Sequence, residues 1–369
     1  MNNTDIMKTK MNVKKFRFPY FYAIIVLFVI AGLVALNIVK EKFIDYLKDY
    51  EDTQPKYVAE EIFRYYYDER DFSRLISISE NSISPAETTI DLVRFFNELT
   101  NGKEITYHRA RSKSGDDTLC FTVKADGKKF SSFTIKQSGK LSKYEFPEYE
   151  LDTVENINPP RLSVTVSAPD DAAVYINDYT LNSTHCIKSE IKTASCDFMP
   201  EGVKGITYST YKIDGLMYKP EIYVRNENGE STITYDEEND IYTAAIIYSE
   251  KLKSEQSDYV VEAAKRCAEY MEFDGKFSDA AKYFLKGTRL YESLRTSQTQ
   301  FAIIHSDYRF DDVRASEFYQ YDENTFSCRV QFTHVLIKRG KEDFKDYIDV
   351  TYFLKKVDGK YLIYDSFNR

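Results

Sequence analysis

The chain has 369 residues, a formal net charge of −9 and five cysteines. Its hydrophobic fraction of 43% is enough for folded cores and excludes a wholly disordered chain, and five cysteines are too few for a small disulfide-stabilised scaffold. The acidic balance argues against nucleic-acid binding, because such proteins present basic faces to the phosphates. The length predicts two or three domains.

A run of 22 residues without a charge, from Phe18 to Val39, is the first feature along the chain. As a helix it would be about 33 Å long, which matches the roughly 30 Å hydrocarbon core of a bilayer. A cleaved signal peptide is the alternative, but its apolar region would be shorter, and Val34-Ala35-Leu36 is a poor cleavage site. Residues 18–39 are therefore predicted to be one uncleaved transmembrane helix.

Basic residues lie mostly on the N-terminal side of this run. Residues 1–17 form a tail with five basic residues and one acidic residue, whereas residues 40–56 mix both signs and are predicted to be a juxtamembrane stalk, interrupted at Gln54-Pro55. The positive-inside rule predicts a cytoplasmic N-terminus and extracytoplasmic C-terminal domains in the cell membrane. The first 39 residues carry +4, which leaves −13 for the exported remainder.

Three folded domains are predicted beyond the stalk. Residues 57–152 are predicted to hold helices at 57–67 and 85–99, followed by an antiparallel sheet with a hairpin turn at Asp126-Gly127. Residues 160–248 show only short strands, which predicts a small β-sandwich. Residues 256–369 return to helices followed by long strands. Helices are predicted at 257–273, 277–285 and 289–300, and strands at 313–321, 325–338, 345–356 and 360–367, the last two joined by an Asp358-Gly359 turn. The matching order of elements indicates that the first and last domains share a duplicated α+β fold.

The last domain opens with Phe277-Ser278-Asp279-Ala280 and closes with the strand pair YIDVTYFLKKVDGKYLIYDSFN, residues 347–368. In these features it resembles the NTF2-like (SnoaL-like) superfamily. The middle domain contains VTVSAPDDAAVYINDYTL, residues 164–181, and resembles the Ig-like or PEGA-like modules of bacterial surface proteins. These resemblances imply an α+β chain in which a single transmembrane helix precedes two NTF2-like cone domains that flank an Ig-like β-sandwich.

The whole arrangement is similar to anchored envelope proteins of Gram-positive bacteria, including the TcaA-type proteins. Those usually begin with a cytoplasmic four-cysteine zinc ribbon, whereas the first cysteine here is Cys120, so neither the ribbon nor a cytoplasmic signalling role is carried over. The resemblance implies a non-enzymatic binding or scaffold protein whose partner is an envelope protein or a cell-wall component. The charge of −13 favours a protein, neutral or basic partner over an anionic polymer.

NTF2-like domains curl their sheet around a cavity, and strand alternation predicts which residues face it. Cys328, Phe332 and His334 share one face of a predicted strand, and Tyr347 and Asp349 share a face of the next strand. His334 and Asp349 could act as a general acid/base pair, which makes a small-ligand receptor or an enzyme the alternative function. A hydrogen-bonded, partly buried His334 with Asp349 at an exposed strand edge is the simpler interpretation, and we favour it.

No catalytic, metal or cofactor motif is recognised in the sequence, so none is predicted. The four histidines are scattered, and the neighbours His185 and Cys186 lack the second ligand pair that a zinc site needs. Cys186 and Cys196 are candidates for a disulfide, because both belong to one exported β-domain. Free thiols are the alternative, since an odd number of cysteines leaves at least one unpaired.

Overall fold

A computed structural model describes residues 20–110, 118–297 and 303–369. It is a mixed α+β structure with an N-terminal apolar helix and several β-sheets. The chain divides into two compact units. Of the described residues, the first unit contains those up to Ser82 and those within Thr89–Asn158, and the second contains Ile83–Thr88 and those within Pro159–Arg369. Both later predicted domains fall within the second unit, and their boundaries stay predictions.

Helix α1, Tyr20–Asp52, is long and apolar enough to cross a membrane, and it is the one helix of this kind among the described residues. None of its residues is buried, so its apolar side chains pack in no protein core. Phe18, where the predicted span begins, and the basic tail of residues 1–17 lie outside the described residues. Helix α2 begins at Pro55, which agrees with the predicted interruption at Gln54-Pro55.

The polar end of α1 packs on a hairpin of the first unit. Asp49 Oδ2 accepts hydrogen bonds from the Ser142 hydroxyl at 2.5 Å and from the Tyr144 backbone N–H at 3.0 Å. The rings of Tyr46 and Phe146 meet edge to face, with centroids 5.2 Å apart. Because α1 is continuous, the residues predicted to be a stalk connect the apolar segment directly to the first unit.

The first unit places short helices before an antiparallel meander. The helices are α2 (Pro55–Phe63), a π-helical turn (Arg64–Asp68), α3 (Phe72–Ser77) and α4 (Thr89–Thr100). The strands are β1 (Ile105–Arg109), β2 (Thr118–Ala125), β3 (Lys128–Leu141) and β4 (Pro147–Asn156), in the order β1-β2-β3-β4. The turn between β2 and β3 is the predicted Asp126-Gly127, with positive φ at both residues, as a tight hairpin requires.

Aromatic rings fill the core of the first unit. Six of them, contributed by helices and strands alike, are at most 5% exposed: Tyr67, Phe72, Phe96, Phe121, Phe130 and Phe133. The Tyr67 and Phe133 rings stack with centroids 5.9 Å apart, and the Tyr67 hydroxyl is hydrogen-bonded to Ser131 Oγ at 2.8 Å. Large rings bury much apolar area, and pairing the phenol avoids the cost of an unsatisfied polar group.

The second unit begins with two sheets around a shared core. The strands are β5 (Leu162–Pro169), β6 (Ala173–Ile176), β7 (Tyr179–Thr180), β8 (Cys186–Lys192), β9 (Thr207–Leu216), β10 (Ile222–Asn226), β11 (Gly229–Glu230), β12 (Ile233–Asp236) and β13 (Ile241–Ala244). Their orders are β11-β10-β6-β7 and β12-β13-β5-β9-β8. Alternating apolar residues of both sheets, such as Val166, Ile176 and Val224, form one buried cluster. We call these strands the double-sheet module.

Residues 83–88 belong to this module, although in sequence they lie between α3 and α4. Ala86 is buried in the module's core, and its carbonyl accepts a hydrogen bond from Asn177 Nδ2 at 2.8 Å. The helix predicted for residues 85–99 therefore begins only at Thr89. The sequence prediction was wrong at these four residues, because tertiary packing draws them into another unit.

Cys186 and Cys196 are free thiols in the structure, so the candidate disulfide is not formed. Cys186 begins β8 and its Sγ contacts the Lys188 carbonyl, whereas Cys196 lies beyond the other end of β8 and contacts the Ile206 carbonyl. A strand of this length spans about 20 Å. A disulfide requires Cα atoms within about 7 Å, so sharing one module does not bring the two cysteines together.

The second unit ends in helices and a four-stranded meander, which we call the C-terminal module. Its elements are α5 (Glu250–Met271), α6 (Phe277–Ala281), α7 (Arg289–Ser297), β14 (Asp307–Gln320), β15 (Thr325–Ile337), β16 (Phe344–Val357) and β17 (Lys360–Asn368), with the strands in consecutive order. Helix α5 starts seven residues before the predicted 257, because the Ser249 hydroxyl caps it by accepting from the Leu252 N–H at 3.3 Å. The last three residues of the helix predicted for 289–300 lie outside the described residues.

Candidate functional site

A cavity of about 500 Å³ lies between the helices and the sheet of the C-terminal module. Helices α5 and α7 and strands β15, β16 and β17 supply most of its lining. The apolar lining residues are Ala264, Cys267, Ala268, Met271, Phe284, Leu290, Leu294, Ile303, Phe344, Ile348, Val350 and Tyr352. This volume and this largely apolar wall are typical of a site for a small organic molecule.

His334 on β15 is the unusual polar residue of the lining. Its side chain is buried, and its Nε2 atom has no hydrogen-bond partner among the described residues. The imidazole stacks on Phe310, with ring centroids 4.7 Å apart, and meets Tyr308 edge-on at 5.5 Å. Burial lowers the pKa of His334, so the ring is neutral at neutral pH. A buried unpaired nitrogen is costly, and a ligand that hydrogen-bonds to it would recover that cost.

Two carboxylates also belong to the lining. Asp346 lies directly opposite His334 in the register of β15 and β16, and its side chain is exposed. Glu272 follows α5, and its Oε2 accepts a hydrogen bond from the Ile303 backbone N–H at 2.7 Å. The cavity thus combines an apolar interior and a neutral imidazole with acidic groups.

Cys328 and Phe332 lie in the core beside the cavity, whereas Tyr347 and Asp349 are on the other face of the sheet. In the register, Tyr347 is opposite Thr333, and Asp349 is opposite Gln331, so both point away from the His334 face. The acid/base pair of His334 and Asp349 is therefore not assembled. The cause is strand alternation: on β16 the even-numbered residues face the cavity.

Asp349 instead belongs to a polar network on that opposite face. The Arg329 guanidinium donates to both Asp349 oxygens, at 2.7 and 2.6 Å, and to Glu317 at 2.8 Å. Gln331 Nε2 donates to the same carboxylate at 2.9 Å and to the Tyr347 hydroxyl at 2.8 Å. These bonds, first among them those from Arg329, hold the pKa of Asp349 below its ordinary value. The carboxylate is a structural partner of arginine.

The lining thiol is unsuited to nucleophilic chemistry. Burial raises the pKa of Cys267 to about 12, so its sulfur stays protonated at neutral pH. Burial also raises the pKa of Tyr352 well above its ordinary value, which keeps this phenol neutral. The wall of the cavity offers contact surface and hydrogen bonds, and we find no activated nucleophile among its described residues.

His305 connects the segment entering β14 to the turn that follows α5. Its Nε2 lies 2.9 Å from Asp274 Oδ2, and its Nδ1 lies 2.5 Å from the Ile303 carbonyl oxygen. Both oxygens are acceptors, so the ring satisfies both only when both nitrogens carry protons. Burial lowers the pKa of His305, but the bonds to Ile303 and Asp274 outweigh it, and the net shift is upward. Since Ile303 lines the cavity, this contact borders the site.

Replacing His305 by glutamine is expected to destabilise the second unit most at low pH, by about 1–2 kcal/mol. The pKa of His305 is raised in the folded state, so its interactions contribute stability that is fully present below the unfolded-state pKa, near 6.5. This stability is lost as the pH rises through the folded-state pKa. Thermal unfolding of the two proteins between pH 5.5 and 8.5 measures this. His108→Gln, at an exposed position, is the control. A loss of thermal stability in His305→Gln that does not depend on pH would contradict the raised pKa of His305.

Asp346, Glu272 and His305 were not among the residues predicted from the sequence to line or border the cavity. Asp346 carried a usable signal: Phe344, Ile348, Val350 and Tyr352 form the more apolar alternating set of β16, and Asp346 belongs to that set. The prediction took the more polar alternating set of β16 to face the cavity, and that set contains Tyr347 and Asp349. Glu272 and His305 lie outside regular helices and strands, where no periodic pattern predicts the direction of a side chain.

No family model matches the chain, and no curated protein matches it. Among solved structures, the chain is similar to an NTF2-like protein involved in plasmid conjugation. The two are 9% identical, the match covers 75% of this chain and 82% of that protein, and the TM-score is 0.22. This neighbour is distant, so no residue role, ligand or activity is transferred from it.

Proposed function

We propose that this protein is a single-pass, membrane-anchored, extracytoplasmic binding protein of the bacterial cell envelope that takes a small, mainly apolar molecule into its C-terminal module. The observation that supports it best is the 500 Å³ cavity, lined mostly by apolar residues and by His334, whose buried Nε2 has no hydrogen-bond partner among the described residues. A wall of this kind packs against the apolar part of a ligand, and one hydrogen bond to His334 orients that ligand.

A binding role is favoured over catalysis by the chemistry of the lining. The carboxylate expected to act with His334 lies on the opposite face of the sheet, and the Cys267 thiol is protonated. A general base needs a positioned partner and a pKa matched to its task. The resemblance to envelope proteins adds an envelope protein or a cell-wall component as the partner of the exported part.

The apolar length of α1 supports anchoring, and the charge difference across it supports the orientation. Protease added to intact cells is expected to degrade the C-terminal modules and to leave the N-terminal tail protected. Degradation that occurs only after cell lysis would reverse the proposed orientation.

Filling the cavity tests the binding role directly. Ala268→Phe adds a ring to the lining and is expected to weaken binding of the neutral probe 4-phenylbutan-1-ol by about tenfold or more, because ring and probe compete for one volume. Ser254→Phe adds the same ring at an exposed position of α5 and is the matched control. Calorimetric titration of the full chain in lipid nanodiscs measures both. Equal binding by the two variants would show that the probe does not bind in this cavity.

A further inference from the structure

The ionisable side chains in the cavity lining are mostly of one sign. Glu272 and Asp346 are carboxylates, and no lysine or arginine belongs to the described lining. His334 adds no charge at neutral pH, because burial lowers its pKa. The cavity therefore has a net negative lining around an apolar interior.

Basic groups occur nearby but outside the lining. The Lys338 ammonium lies 5.3 Å from the centroid of the Phe344 ring, and Phe344 belongs to the cavity lining. His305 is paired with Asp274 at 2.9 Å, so its charge is offset by an adjacent carboxylate. Asp346 has an exposed side chain at the register position opposite His334, where a ligand's polar end would reach water.

We infer that the cavity selects cationic amphiphiles, which are molecules with an apolar body and a protonated amine. The body packs on side chains such as Met271, Phe284 and Val350, and the ammonium lies beside Asp346 and Glu272. Anionic amphiphiles of the same size are disfavoured, because their head group meets like charge. This inference rests on the proposed function, since it assigns a ligand class to the same cavity.

Three probes of equal length and different head charge test the inference: 4-phenylbutylamine, 4-phenylbutan-1-ol and 4-phenylbutanoate. Each is titrated into the full chain in nanodiscs of zwitterionic lipid, and the heat measured with empty discs is subtracted. The amine is expected to bind about fivefold tighter than the alcohol, and the carboxylate weaker than both, as partly exposed charge pairs allow. Raising the salt concentration is expected to reduce the preference.

The Asp346→Asn and Glu272→Gln double variant keeps the shape of the cavity and the acceptor for the Ile303 N–H. It is expected to bind amine and alcohol equally, whereas Asp358→Asn, in the distant turn between β16 and β17, keeps the preference. Equal binding of amine and alcohol to the wild type would overturn the cationic selectivity, and so would a preference for the amine that survives in the double variant. In either case, binding of the alcohol would still support the proposed function. Binding of none of the three probes overturns both.

Discussion

Replacing Arg329 by leucine is expected to lower the free energy of unfolding of the C-terminal module by about 3 kcal/mol at neutral pH. The variant removes three charge-assisted hydrogen bonds, two to Asp349 and one to Glu317. Glu317 retains its ion pair with Arg369, so most of the loss falls on Asp349, whose side chain is only 10% exposed. Urea unfolding followed by hydrogen exchange at β15 amides measures the effect.

The cost of Arg329→Leu is expected to depend on pH with a definite sign. Arg329 lowers the pKa of Asp349, so this carboxylate contributes stability above its unfolded pKa, near 3.9, which is lost as pH falls through the lower folded value. The difference between wild type and variant therefore shrinks below about pH 4. Arg309→Leu is the matched control: its pairs with Asp311 and Asp343 are more exposed, so it should cost under about 1 kcal/mol. Equal costs for the two variants would contradict this account.

Replacing Glu87 by alanine is expected to destabilise the double-sheet module by about 2–3 kcal/mol, although Glu87 lies between two helices of the first unit in sequence. Its Oε1 accepts hydrogen bonds from the backbone N–H groups of Met217, at 2.7 Å, and Tyr218, at 3.2 Å. Met217 is buried, so removing the carboxylate leaves its amide unpaired at full cost.

Hydrogen exchange distinguishes where Glu87→Ala acts. Faster exchange is expected in β5, β9 and β10, with little change in β1 to β4. Glu80→Ala, which removes an exposed carboxylate seven residues earlier, is the control. Faster exchange confined to β1 to β4 would show that residues 83–88 stabilise the first unit instead. The same contacts predict that a fragment starting at residue 159 is less stable than the unit in the full chain.

Local patterns in the sequence predicted most elements of the fold. The uncharged run ending at Val39 predicted the apolar part of α1, and Asp126-Gly127 and Asp358-Gly359 predicted two tight hairpins, where both turn residues have positive φ. Period-two segments predicted β15, β16 and β17 to within about two residues. These features depend on residues that are neighbours along the chain.

The candidate site was predicted only in part. His334 was identified because alternation along β15 placed it with apolar residues, and it does line the cavity. Tyr347 and Asp349 were misplaced, because alternation defines two faces of β16 without saying which one turns inward. The carboxylate opposite His334 is Asp346, and only the strand register shows it.

Length, charge and the pattern of apolar residues are enough to predict a helix long enough to cross a membrane, helix-then-strand segments after it, and an acidic C-terminal part. Three other features depend on the fold: residues 83–88 pack with the double-sheet module, Cys186 and Cys196 stay apart, and the C-terminal module keeps a cavity. The physical reason is that periodicity and turn chemistry act over a few residues, whereas core membership, thiol distance and cavity volume depend on contacts between segments remote in sequence.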